Sequence, residues 1–265
     1  MSGQAHGDAW DPRQYGLFGD ERSRPFFELV SRVPATDPRR VVDLGCGSGE
    51  LTASLAKRWP TAEVEGIDSS AKMIAAAQEH AAPGLRFTVG DLADWTPGDG
   101  RPVDVMVSNA ALQWVPAHRD LLPQWIKALT PDGRLAFQVP GNFDAPSHAL
   151  LREICRSPRW RARLADVMRW HPVGSPGEYL ELLAGHGCRV DAWETTYAQV
   201  LQGDDPVLEW VKGTALRPVL SALDAEDAAE FLGEYAARLR DAYPRRPFGT
   251  VFPFRRIFVV AQRVR

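Results

Sequence analysis

A chain of 265 residues, 45% hydrophobic and 25% charged, is long enough for one large domain or a domain with an insertion. Its formal charge of −3 gives no ground for a general nucleic-acid surface, and no apolar run reaches the roughly 20 residues that span a membrane. Cys46, Cys155 and Cys188 are odd in number and scattered, and the N-terminus lacks a basic stretch followed by an apolar one, so neither a disulfide framework nor a signal peptide is expected, and a reducing cytoplasm is.

Residues 1–9 are small and polar, with no pattern that would order them. Trp10 to Val33 collects aromatic and basic residues, and Phe26, Leu29, Val30 and Val33 at helical spacing predict a helix over 21–33 with Pro25 in its early turn. After Pro34 and Pro38 the pattern alternates. A strand at 40–44 precedes a helix at 49–58 with Leu51, Leu55 and Ala56 inward, and a strand at 62–67 ends at Asp68. Ser69 or Ser70 can cap the helix that follows at 71–80. Phe87 to Val89 ends at Gly90-Asp91, and Val103 to Val107 ends at Ser108-Asn109 before a helix at 118–129. Pro131-Asp132-Gly133 reads as a turn and Arg134 to Val139 as a fifth strand. Strands alternating with helices imply a parallel, doubly wound α/β sheet.

The alternation breaks after Pro140-Gly141-Asn142-Phe143. Helical patterns with breaks at Pro158, Pro172 and Pro176 fill 146–184, a strand is expected at 188–198, and helices at about 205–222 and 224–242. An apolar strand, Phe252 to Ala261, closes the chain. Helices inserted late in an α/β chain are expected to cover the carboxyl edge of the sheet as a cap.

The chemistry concentrates at Val41-Val42-Asp43-Leu44-Gly45-Cys46-Gly47-Ser48-Gly49. A glycine turn between strand and helix suits a nucleotide, but the spacing is not the Gly-x-Gly-x-x-Gly of dinucleotide sites, and no Gly-x-x-x-x-Gly-Lys-Ser/Thr loop exists. Asp43, Asp68 and Asp91 instead stand at three successive strand ends. Acids in that position suit a cationic ligand without phosphate, and S-adenosylmethionine is one, with its sulfonium and ammonium. Asp68 would accept from the ribose diol and Asp91 from the adenine amine under Leu92, while Asp43, Gly45, Cys46 and Gly47 would lie near the methionine portion.

The same residues carry a resemblance. Val41 to Gly49, then Gly66-Ile67-Asp68-Ser69-Ser70-x-x-Met73-Ile74, then Gly90-Asp91-Leu92, resemble class I S-adenosylmethionine-dependent methyltransferases. Trp10-Asp11-Pro12-x-x-Tyr15, Arg24-Pro25, Ser108 to Val115, Gln138 to Phe143, Pro146-Ser147-His148, Glu194 to Tyr197, Leu216-Arg217-Pro218 and Phe252 to Arg256 resemble the trans-aconitate methyltransferase family. The resemblance implies a mostly parallel seven-stranded Rossmann-like sheet with helical caps. Its expected divisions are N-terminal lid helices at 1–34, a cofactor core at 35–142, a cap at 143–174, and a C-terminal part of the core at 175–265 with a second insertion at about 204–245.

It further implies a methyl ester formed on a small polycarboxylate by in-line displacement. A carboxylate, with a pKa near ~4, is ionised at neutral pH, so no general acid or base is expected, and the six histidines show no metal-ligand spacing, so no metal is expected. Implied cofactor residues are Tyr15, Arg24, Asp43, Gly45, Cys46, Gly47, Asp68, Ser69, Met73, Asp91, Leu92, Asn109 and Ala110, with Arg24 on the cofactor carboxylate, Asn109 beside the methyl, and Trp10 and Tyr15 in a lid. Arginine pairs with carboxylates bidentately, so Arg217, Arg255 and Arg256 join Gln113, Trp114, His148 and Tyr197 as acceptor candidates. Arg255 and Arg256 should face opposite ways on their strand. The arginines at 156, 159, 161, 163 and 169, spread around Trp160 and Trp170, read as a solvated helical surface rather than an RNA site. A monomer or weak homodimer, free of nucleic acid and membrane, is expected. The residues alone leave open another small-molecule acceptor, a silent S-adenosylmethionine-binding protein and, disfavoured by the glycine spacing, a nicotinamide oxidoreductase.

Overall fold

The computed structural model describes residues 19–97, 100–165, 167 and 173–264. Residues 1–9, Trp10, Tyr15, Arg169, Trp170 and Pro172 therefore lie outside the described residues. The chain forms two compact units, one from 1–140, 173–195 and 256–265, the other from 141–172 and 196–255.

In the first unit α1 (Gly19–Ser31) precedes β1 (Arg40–Leu44), α2 (Glu50–Arg58), β2 (Glu63–Asp68), α3 (Ala71–Ala77), β3 (Leu85–Val89), β4 (Val103–Asn109), α4 (His118–Ala128) and β5 (Leu129–Pro140). α7 (Pro176–Gly185) follows the second unit's first segment, and β6 (Cys188–Leu201) and β8 (Gly249–Arg263) each begin or end in it. The sheet order is β3-β2-β1-β4-β5-β8-β6, parallel through the first five strands and antiparallel from β5 to β8. The seven strands of this path match the expected Rossmann-like sheet, and the two-residue β7 (Arg245–Arg246) pairs beside β8. All five residues of β1 are buried, which its apolar run anticipates for a central parallel strand. The chain leaves β1 towards β2 and β3, then returns to lay β4 on β1's other side. That reversal puts a crevice outside the carboxyl ends of β1 and β4, where open α/β sheets bind ligands.

α1 starts two residues before the expected helix, so Pro25 sits inside it rather than in its first turn. It buries Phe26, Leu29 and Val30. Glu28 accepts from Trp193 Nε1 at 3.1 Å and Thr195 Oγ1 at 2.7 Å, and Arg32 lies 4.2 Å over the Trp193 ring. The Pro131-Asp132-Gly133 signal falls within β5 instead of before it. Val103 and Val105 of β4 pair with Leu129 and Arg134, so the three residues form an irregularity in which Asp132 has a φ of 62°. On α2, Leu51 and Ala56 are only half-buried, and the buried positions are Leu55 and Thr52.

The second unit holds α5 (Pro146–Arg156), α6 (Arg161–Leu164), α8 (Pro206–Lys212), α9 (Arg217–Ser221) and α10 (Ala225–Ala242). The expected helix at 205–222 is split, because Gly213 ends α8 and Pro218, which has no N–H to give, suits only the start of α9. Trp160 packs edge-on against Phe231 with centroids 5.4 Å apart, and Trp210 lies 5.9 Å from Phe252. Arg159 and Arg163 flank the Trp160 ring and pair with Glu230 and Asp227, which accounts for part of the arginine run. Buried Ser147 receives Tyr235 Oη on its carbonyl at 2.7 Å and donates its N–H to Tyr243 Oη at 3.0 Å. Tyr235→Phe removes the hydroxyl's hydrogen bond to that helical carbonyl and should lower stability by about 0.5–1.5 kcal/mol; a urea midpoint equal to that of the parent chain would contradict the clamp.

Candidate active site

Asp43 ends the polar content of β1 with 3% exposure, its Oδ2 accepting a 2.6 Å hydrogen bond from Thr52 Oγ1 on α2. Burial pushes its pKa from 3.8 up to about 7, a rise tempered by Thr52 and reinforced by the charge of Asp68. The sequence reading missed Thr52. A polar residue one helical turn from inward Leu55 was the signal, since a buried hydroxyl must find a partner.

The three glycines serve different ends. All have positive φ: 87° at Gly45, 55° at Gly47 and 82° at Gly49. A Cβ on Gly45 would stand 2.3 Å from the Ala111 Cβ, and one on Gly49 would strike Ala77 and the Phe87 ring at 2.8–2.9 Å. One on Gly47 would meet no atom within 4 Å. The outer glycines let α2 and the 110–111 turn close on the loop, and the middle one leaves the loop open.

Asp68 ties the strand ends together. Its Oδ2 accepts from Gly47 N at 3.0 Å and its Oδ1 from Ser70 N at 2.8 Å, each oxygen keeping lone-pair capacity for further donors. Burial raises its pKa, against the lowering by these two amides, Ser70 first. Ser70, not Ser69, caps α3, accepting from Met73 N at 3.3 Å. Ser69 is exposed and Met73 buried. Asp91 is exposed and turns back to accept from Ala93 N at 2.9 Å, with Leu92 buried beside it. Cys46 is buried, and burial pushes its thiol far up, so it is inert packing.

At the carboxyl end of β4, Asn109 is half-buried and Ala110 has a φ of 54°, a left-handed conformation costing a non-glycine residue roughly 1 kcal/mol or more. The turn is held on both sides: Ala110 N donates to the Gln138 carbonyl at 2.9 Å, and Gln113 Nε2 donates to the Ala110 carbonyl. Gln138 Nε2 donates to Asn109 Oδ1 at 2.9 Å, and Gln138 Oε1 accepts from Arg256 Nη1 at 3.1 Å. Gln138 too was missed as a site residue, although a polar side chain between Phe137 and Val139 in a buried strand signals a partner.

The acceptor candidates divide between the units. Gln113, half-buried, and Trp114, 41% exposed, follow the Ala110 turn in the first unit, where Arg256 is 5% exposed. His148, Tyr197, Arg217 and Arg255 belong to the second. Tyr197 is buried, and Arg217 and Arg255 are half-buried. The Arg255 backbone is bracketed by the Asn142 side chain, which accepts from its N–H at 2.8 Å and donates to its carbonyl at 2.9 Å. His148 lies beside Ser147 Oγ at 3.1 Å, and burial followed by the charge of Arg152 lowers its pKa to about 4, so it is neutral at physiological pH. Arg24 on α1 is exposed. Elsewhere in the first unit, His118 is buried, with Nδ1 3.0 Å from the Val115 carbonyl and Nε2 2.7 Å from Tyr179 Oη. Among the described residues no group of three or more His, Cys, Asp or Glu side chains could hold a metal ion, and no helix is long and apolar enough to cross a membrane.

An open glycine loop flanked by one buried and one half-buried carboxylate, at the switch point of this strand order, defines a class I methyltransferase. A family profile described as a methyltransferase domain matches residues 41–133. The fold is shared with the YcgJ protein of Bacillus subtilis, at TM-score 0.58 and 14% identity over 91% of this chain and 99% of that one. It is also shared with phosphoethanolamine N-methyltransferase 2 of Haemonchus contortus in complex with S-adenosyl-L-methionine, at TM-score 0.53 and 16% identity over 91% and 53%.

Curated relatives narrow the class. The trans-aconitate 2-methyltransferase of Streptomyces avermitilis is 54% identical across 96% of this chain and 97% of its own length, and that of Rhodococcus jostii 56% identical across 96% and 99%. The chain belongs to the trans-aconitate 2-methyltransferase family.

Because the folded state holds the Asp43 proton more tightly than the unfolded chain, Asp43 supports folding below pH ~4 and loses that support as pH rises to about 7. Asp43→Asn, which keeps an acceptor for Thr52, should therefore gain stability over the parent chain between pH 4 and 8, by on the order of 4 kcal/mol at the upper end. Denaturation at several pH values checks this, and a difference independent of pH would place the Asp43 charge in water.

Proposed function

We infer that this protein transfers the methyl group of S-adenosylmethionine to a carboxylate of trans-aconitate, forming a methyl ester. The observation that carries the reading is the pair of carboxylates, buried Asp43 and half-buried Asp68, around the open Gly47 in a chain related end to end to trans-aconitate 2-methyltransferases. Their charge suits a cation and opposes a pyrophosphate.

The cofactor supplies an electrophilic methyl on a sulfonium. The protein's part is to hold, orient and dry the two reactants. Asp68, with lone pairs beyond those given to Gly47 and Ser70, accepts the ribose hydroxyls. Asp91 accepts the adenine amine, with Leu92, Ser69 and Met73 around the adenosine. Asp43 and the Gly45-Cys46-Gly47 turn face the methionine portion, Arg24 and Tyr15 its carboxylate, and Asn109 and Ala110 the methyl. With the cofactor bound, an ionised acceptor oxygen would take the methyl carbon as the sulfonium left as a neutral thioether, so the chain would need to remove no proton. Neutral His148 offers a hydrogen bond rather than charge, with Gln113, Trp114 and Tyr197 as further acceptor contacts, and Arg217 and Arg255 supply the cations for the carboxylates that do not react. The scattered cysteines suit a reducing cytoplasm and the net charge of −3 offers no general nucleic-acid surface, in keeping with a cytoplasmic enzyme, monomeric or weakly dimeric, that works without nucleic acid or membrane.

Incubation with methyl-labelled S-adenosylmethionine and a panel of small acids, alcohols and amines should label trans-aconitate as a base-labile ester. Transfer confined to amines or alcohols would refute the carboxylate assignment. Arg255→Ala should raise the KM for trans-aconitate about 10- to 100-fold, the loss of a charge-assisted hydrogen bond, and leave the KM for S-adenosylmethionine unchanged.

A further inference from the structure

Asn109, Gln138 and Arg256 stand on three adjacent strands of the first unit, and the registers put them in line. Asn109 pairs directly with Gln138 across β4 and β5, while Arg256 pairs with Pro140, two residues beyond Gln138 and on the same face. The side chains accordingly form one chain of hydrogen bonds, 3.1 Å from Arg256 Nη1 to Gln138 Oε1 and 2.9 Å from Gln138 Nε2 to Asn109 Oδ1. Gln138 is fully buried and Arg256 nearly so.

A guanidinium has donors and no acceptor. Arg256 therefore obliges Gln138 to turn its oxygen towards it, and the Gln138 amide then has only N–H groups left for Asn109. Asn109 must answer with its oxygen, which leaves both Nδ2 hydrogens for another partner at the carboxyl edge of β4. Without an arginine at the far end, either amide could reverse and Asn109 could present its oxygen instead.

We propose that Arg256 acts through Gln138 to fix the polarity of Asn109, so that Asn109 presents N–H donors to the non-attacking oxygen of the acceptor carboxylate. Asn109 is then the substrate contact, and Gln138 and Arg256 are positioning residues that never touch the acceptor. The role given to Arg256 on sequence grounds, direct pairing with the acceptor, becomes an indirect one. Gln138 also holds the Ala110 turn through its own carbonyl, so the donor and the turn that carries it share one support. The inference rests on the reading of Asn109 as the residue beside the transferred methyl.

The test reverses the polarity without changing size. Gln138→Glu still accepts from Arg256 but has no N–H for Asn109, so Asn109 must donate inward and turn its oxygen to the acceptor. The KM for trans-aconitate should rise at least about tenfold, while calorimetry with S-adenosylhomocysteine gives an affinity within about twofold of the parent enzyme. Arg256→Met should move the acceptor KM in the same direction, and Arg256→Lys, which keeps a donor, should restore much of it. A general loss of packing would lower cofactor affinity in parallel and show no rescue by lysine, and either pattern overturns the inference. If Gln138→Glu does not fold, Asn109→Asp makes the same reversal at the half-exposed end, and an unchanged acceptor KM there overturns it equally. Failure of the parent enzyme to esterify any carboxylate would instead count against the proposed function.

Discussion

The Asp68 carboxylate is the link on which the active site depends. One oxygen holds the Gly47 amide of the loop after β1, and the other holds the Ser70 amide that opens α3. Two neighbouring strand ends are thereby fixed to one anionic group at the switch point of the sheet. Remove it and the loop loses both its anchor and its field, because the same charge that orders Gly47 also raises the pKa of Asp43 behind it.

That arrangement explains why the glycines do not build a phosphate seat. A phosphate loop turns its amides outwards to meet an anion. Here the Gly47 amide is already spent on Asp68, and a second carboxylate is buried one strand away. The site is electrostatically unfavourable when empty and favourable for a cation, a case in which stability is given up for function. Asp43 needs its Thr52 hydrogen bond for the same reason: it keeps a buried acid oriented without neutralising it.

Much of this was legible because it is local. Val41 to Gly49 announces strand, turn and helix within nine residues, and each of Asp43, Asp68 and Asp91 closes its own strand. What escaped the sequence is non-local. Thr52 belongs to the site only because α2 folds back onto β1. Gln138 and Arg256 meet Asn109 only once β4, β5 and β8 are in register, across sequence separations no periodicity reports. Local punctuation also misled: Pro131-Asp132-Gly133 has turn chemistry yet lies within β5, and Gly213 with Pro218 broke an otherwise continuous helical pattern.

Proton linkage on cofactor binding tests the central claim most directly. At pH 6.5 the empty site should hold Asp43 mostly protonated, so a cation that binds beside it must displace the proton. Calorimetric titration of S-adenosylmethionine in buffers of different ionisation enthalpy should reveal release of a substantial fraction of one proton, abolished in Asp43→Asn. Binding with no net proton exchange, or with the same exchange in the variant, would contradict the account of a buried acid awaiting a cation.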